Sequence, residues 1–188
     1  MKMLVSAVVN KIFGLGGSKR GQTQQSGKLR SVMVNKNSSN EPIPLAYGRR
    51  RVGGTRVYVE TSDGAGDTAG TEYLNMVLAI AEGQMKDLKK VYFNDVVVFD
   101  GTFTHGTLYG ADDDTVHDPE GDPATENKYA DTIEMQYFDG RDDQTVSSLI
   151  QDSVGSANWS NDHRLRGVAY IAFKLQADGE KYNGGVPL

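Results

Sequence analysis

The chain contains no cysteine, only five prolines and three histidines, and a single tryptophan in 188 residues. Without cysteine there is no disulfide framework, no thiolate metal site and no cysteine nucleophile, although this does not identify a compartment. His105, His117 and His163 fall in three separate loops, without i, i+4 pairing and without an HExxH motif, so no zinc site is expected. Ser147, Ser148, Ser153 and Ser156 lie in no GxSxG elbow. Gly14 to Lys19 lacks the GxxxxGK[ST] spacing of a phosphate loop. Asp112, Asp113, Asp114, Asp118, Glu120 and Asp122 miss the alternation and the placed glycine of an EF-hand, which leaves a solvated acidic loop. No hydrophobic run is long enough to cross a bilayer. The apolar opening, MKMLVSAVVNKIFGLGG, is interrupted by Lys11 and has no small-x-small cleavage site, so neither stable membrane insertion nor export is expected. Nothing in these motifs argues for an enzyme or a cofactor.

Scarce proline beside 22 glycines gives many turns and few helix breakers, which fits a strand-rich fold. The length allows one good core or two small ones. The net charge of −5 hides a polarity. Residues 1–60 carry eleven Lys/Arg against two Asp/Glu, and residues 61–188 carry nine against twenty-three. Such asymmetry fits a nucleic-acid arm, or a basic surface that meets an acidic one in a symmetric assembly. The basic third has no aromatic platform interleaved with its charges, which weakens the single-strand-binding reading.

Residues 1–40 read as an N-terminal arm and linker, and residues 41–188 as the domain, with an exposed acidic insertion at about 103–128. On a helix, Leu4, Val5, Val8, Val9, Ile12 and Phe13 form one apolar stripe. It packs either on its own domain or, as a docking arm, on a neighbouring subunit. Leu29 to Val34 is a short strand within the linker. The stretch Ile43 to Glu60, IPLAYGRRRVGGTRVYVE, is the organising element. Glycines at 48, 53 and 54 punctuate a cationic turn, and Val57 and Val59 alternate with Arg56, Tyr58 and Glu60 along a strand. Arg49, Arg50 and Arg51 form either a solvated basic loop or an inward-facing ring in an oligomer. If the run is extended, its side chains alternate, and the inward arginine should meet a carboxylate.

Tyr73 to Ala81 is apolar enough for a buried strand and rich enough in Leu, Met and Ala for a helix. Leu88 to Phe93 and Val96 to Phe99 form a hairpin about Asn94-Asp95. Tyr129 to Phe138 and Val168 to Leu175 are strands. Gln144 to Ser153 is a helix capped by Asp142 or Asp143, with Val146, Leu149, Ile150 and Val154 as its stripe and Gly155 as its stop. Trp159 plugs the core. Gly184 to Pro187 leads toward a further strand, so residues 166–175 are expected to present an unpaired edge.

The blocks IPLAYGRRRVGG, EYLNMVLAIAEGQMKDLKKVYFNDVVVFDG, YFDGRDDQTVSSLI, DHRLRGVAYIAFKL and KYNGGVP, in this order from about Ile43 to Pro187, carry a resemblance. The chain resembles the N-terminal hub region of the tail tip attachment, or host-specificity, proteins of long-tailed bacteriophages. Members of that family are usually several times longer. The resemblance implies that Tyr73 to Ala81 is a strand and that the fold is α+β, mainly β: an antiparallel, strand-rich tail-hub domain with one covering helix. It implies a homotrimeric ring below the tail tube, partnered by the distal tail protein ring and the tape-measure protein. Such a hub closes the tube and opens for transient contact with phage DNA during ejection. The product would be made in the host cytoplasm and reside in the virion. On this reading Arg49, Arg50, Arg51 and Arg56, with Leu4, Val8 and Ile12, are the subunit and lumen interface. The alternatives are a nucleic-acid-binding module built on the basic third and a cell-wall hydrolase, which no sequence feature supports.

Overall fold

The computed structural model describes residues 42–64, 71–93, 96–110 and 132–177. The N-terminal stripe with Leu4, Val8 and Ile12, the strand at 29–34, the Asn94-Asp95 turn, most of the acidic insertion and the Gly184–Pro187 segment lie outside them.

Two strands dominate the interior, β2 (Glu72–Glu82) and β7 (Val168–Gln176), paired antiparallel. Both are nearly continuous apolar runs, because each is covered on both faces. That double burial is why Tyr73 to Ala81 shows no period-two pattern, and it resolves the ambiguity there in favour of a strand. On one face Leu74, Met76 and Leu78 lie opposite Leu175, Phe173 and Ile171; on the other, Val77 and Ala79 lie opposite Ala172 and Tyr170. Around this pair, β1 (Thr55–Asp63), β6 (Ile133–Asp139) and β5 (Leu108–Tyr109) complete an antiparallel five-stranded sheet of order β1-β2-β7-β6-β5.

The two faces are closed differently. A separate hairpin, β3 (Lys90–Phe93) and β4 (Val96–Asp100), packs on one side, where Phe93 meets Phe173 edge-on with ring centres 5.7 Å apart. A single short helix, α1 (Ser148–Val154), and the loop bearing Trp159 close the other, through Leu149, Ile150, Phe138 and Tyr170. Phe138 and Tyr170 stack at 4.5 Å. The described chain is therefore mainly β with one covering helix.

Five expectations need correction. First, β7 is central and paired on both sides, so residues 166–175 present no open edge; the edges are β1 and β5. Second, residues 42–54 are irregular, and the strand expected from Ile43 begins only at Thr55. The segment is instead pinned by Glu82 N–H donating to Pro44 O at 2.9 Å. Gly54 is needed beside β2, since a Cβ there would meet Leu78 Cβ at 2.9 Å.

Third, the start of the supposed acidic excursion is packed. Phe103 and Tyr109 are buried with ring centres 5.1 Å apart, and β5 pairs with β6. Two aromatic side chains, nine and three residues before the acidic run begins at Asp112, are buried there and fold that end back. Fourth, the helix starts at Ser148 with Ser147 as cap, and not at Gln144 with Asp142 or Asp143. Gln144 is fully buried, accepting from Gly140 N–H and donating to the carbonyls of Arg164, Leu165 and Val168, so residues 144–147 stay outside the helix. Fifth, the polarity of β1 is unusual. Tyr58 packs inward against Trp159 at 4.8 Å, while Val57 and Val59 remain exposed. The register shifts between Arg56 and Tyr58, leaving Val57 as the extra residue of a bulge.

A candidate interface: the arginine-lined cleft and an open strand edge

The Gly48 bend, with φ of 67°, turns the chain so that Arg49, Arg50 and Arg51 run past the β3–β4 hairpin. Between them lies a cleft of about 360 Å³. Its floor is apolar: Leu78 and Ile80 from β2 and Ile171 and Phe173 from β7, flanked by Val52, Met85 and Leu88. Its rim is cationic: the three arginines on one side, Lys89 and Lys90 on the other, with Asp87 as the one lining carboxylate. All three arginines are exposed, so none is turned inward as the strand reading required. Arg51 lies over the ring of Tyr92, 4.2 Å from its centre, a cation–π contact.

The rim charges are unevenly matched. Lys90 binds Asp100, a bond that raises its pKa, while the nearby Arg49 opposes that rise. Lys89 stands 3.9 Å from Asp87, a loose, exposed pair. Arg56 does not join the cleft. It sits half-buried beside the β1 bulge, where burial lowers its pKa. Thus the structure brings together three of the four arginines singled out in the sequence. It adds Lys89, Lys90 and Tyr92, whose signal was the KKVY sequence at the mouth of the hairpin. Tyr92 is the aromatic side chain that the structure brings to the arginine run; Tyr47, 79% exposed, precedes that run but does not line the cleft.

The second feature is β1 itself. One side of this nine-residue strand pairs with β2 and the other carries no strand among the described residues. Leu45 (58% exposed), Val57 (42%) and Val59 (40%) accompany Tyr47 as large apolar side chains left in water along the same stretch.

Other polar clusters are internal fastenings. Asp139, at the end of β6, receives Arg141 through Nε at 3.0 Å and Nη2 at 2.6 Å; its own N–H donates to His105 Nδ1, which stands 2.8 Å from Oδ1. The hydrogen bonds from Arg141, with the charge of the nearby His105 as a smaller contribution, hold its carboxyl well below the usual carboxylate range. The side chains of Asn75, Ser62 and Ser153 link β2, β1 and α1 in series at 2.9 and 2.8 Å. Burial pushes the Tyr137 and Tyr170 phenols upward, so both stay neutral. Among the described residues, no group of three or more His, Cys, Asp or Glu is placed to hold a metal ion, and no helix is long and apolar enough to cross a membrane. No known family model and no curated protein matches the chain.

Proposed function

We propose that this chain acts by assembly, as the hub portion of a bacteriophage tail tip. In that role copies of it form a trimeric ring that joins the distal tail protein and the end of the tape-measure protein, closes the tail tube, and opens for DNA. The observation that carries the reading is the open β1 edge with its exposed apolar side chains. An unpaired strand edge offers a row of free N–H and C=O groups to another chain. Large apolar residues beside such an edge are placed where an interface would bury them. The ordered blocks of sequence resemblance supply the biological setting, and the reading assigns no catalytic residue. Arg49 and Arg50, exposed on the same side of the molecule as the cleft, would face passing DNA in a ring without holding it.

The test is Val57→Lys together with Val59→Lys. Both positions are exposed, so the isolated chain should melt within about 0.5 kcal/mol of the parent. Tail assembly, followed by sedimentation of particles from cells carrying the variant, should fail at the tip. Normal assembly would sink the edge as the interface. Full assembly by an Arg49→Ala, Arg50→Ala, Arg51→Ala variant, coupled with loss of a strong and steeply salt-dependent DNA affinity, would instead promote a nucleic-acid-binding module.

A further inference from the structure

The cleft has a chemistry that the hub reading does not require. From its geometry we infer that it is a docking groove for an extended acidic segment of a different protein chain, one that carries an apolar side chain among its carboxylates. The inference goes beyond the tail-tip proposal and would hold for any assembly containing this protein.

Three observations fix the occupant. The first is charge complementarity. Five cationic side chains line the rim against one lining carboxylate, Asp87, 3.9 Å from Lys89; Asp100, outside the lining, pairs with Lys90, so cations remain in excess at the rim. Arg49, Arg50 and Arg51 are consecutive and exposed, and they line the same cleft as Lys89 and Lys90, so like charges are gathered at the rim. Such a concentration is relieved by an incoming anion.

The second observation is the floor. Leu78, Ile80 and Ile171 are aliphatic, and aliphatic walls suit a Leu, Ile or Phe side chain better than a nucleobase, which needs a flat ring to stack on. Of the rings that line the cleft, Tyr92 is already covered by Arg51, Phe93 and Phe173 are buried, and the exposed Tyr47 is not a lining residue. The third is the backbone. β3 pairs with β4 and with no other strand among the described residues, and its four residues, Lys90 to Phe93, all line the cleft, an extended wall along which an extended peptide can lie. The volume of about 360 Å³ accommodates one large side chain and its neighbours, not a folded element.

The experiment uses the full chain and a fluorescent seven-residue peptide of Asp and Glu with a central Phe, titrated by anisotropy across a salt series. Saturable binding is expected. Replacing the central Phe by Ser should weaken it by about tenfold or more, the value of burying one aromatic side chain. The Arg49→Ser, Arg50→Ser variant should weaken it by about tenfold, through two partly exposed charge contacts. Because both arginines are exposed, that variant is expected to keep the parent's melting temperature. Val52→Ser, on the flank of the floor, provides an independent apolar probe and should mimic loss of the Phe in direction. An oligo-dT of equal charge should bind more weakly than the peptide.

Absence of saturable peptide binding overturns the proposal, as does equal binding of the Phe and Ser peptides. Tighter binding of oligo-dT, steeply salt-dependent and indifferent to Val52, would assign the cleft to nucleic acid instead. Concentration-dependent self-association that the peptide does not displace would assign it to a second copy. The readout is independent of particle assembly, so failure here and failure of the tail-tip reading are separable.

Discussion

Single side chains fasten this fold more than the sequence suggests. Asp139 was one of many acidic residues in the chain. In the structure it ends β6, buried, receiving Arg141 through two nitrogens, with His105 beside it. Because its carboxyl titrates below the usual range, the unfolded chain takes up a proton that the folded chain refuses once pH falls toward the unfolded value of about 3.9. The stabilisation from Asp139 is therefore fully present above that value and is lost as pH falls further toward the folded one. Urea melts of the parent and of Asp139→Asn should differ most between pH 5 and neutrality, taken as a rough window from that reference value. Their midpoints should converge on acidification below about pH 4. A gap that stays constant from pH 6 to pH 3, as approximate limits, would show that the contact contributes no proton linkage. Gln144 is the parallel case among neutral residues. Its amide holds a turn N–H and three carbonyls that no local pattern connects.

Elements end where their polar groups find partners. Asp142 and Asp143 precede an apolar stripe and look like caps, yet the cap is Ser147. Its Oγ accepts from Ile150 N–H and donates to Gln136 Oε1 at 2.7 Å, so one hydroxyl ends the loop and ties the helix to β6. A helix of seven residues has little stability of its own, so the position of this tie decides where it begins. Ser147→Ala should therefore destabilise by about 1–2 kcal/mol, because both the cap and a buried partner of Gln136 are lost. Asp142→Ala and Asp143→Ala should each stay within about 0.5 kcal/mol of the parent. Chemical denaturation of the three variants side by side reads this directly. Equal effects at all three positions would restore the aspartate cap.

At the scale of the whole molecule, strand order governs stability. β2 and β7 are paired on both sides and buried on both faces, whereas among the described residues β1 and β5 each have a neighbour on one side only. Native-state hydrogen exchange should be slowest for amides in β2 and β7, with openings that approach global unfolding, and faster along the free side of β1. Slow, uniform protection of β1 in the isolated chain would mean that its edge is already covered. If a partner strand covers that edge in an assembly, the same amides should slow on complex formation.

Much of the architecture was legible in the chain. Alternation marked β6, and the short hairpin announced itself through two apolar runs around Asn-Asp. The inability of Tyr73 to Ala81 to choose between helix and strand was itself information, since a strand buried on both faces loses its period. Trp159 as a plug, Gly155 as the helix stop and the arginine run as a clustered basic surface could all be read locally, because each depends on a few neighbours. What only the tertiary structure decided involved partners far apart in sequence. The central place of β7 follows from pairing with β2 and β6 at once, which no property of residues 166–175 encodes. The exposure of Val57 and Val59 follows from a bulge and from Tyr58 meeting Trp159, about a hundred residues downstream. The cleft exists because the bend at Gly48 lays three arginines opposite two lysines from the hairpin, over a floor supplied by β2 and β7. Charge and hydropathy are properties of residues and can be read in order along the chain; a concave surface is a property of distances, and those are set only when the sheet closes.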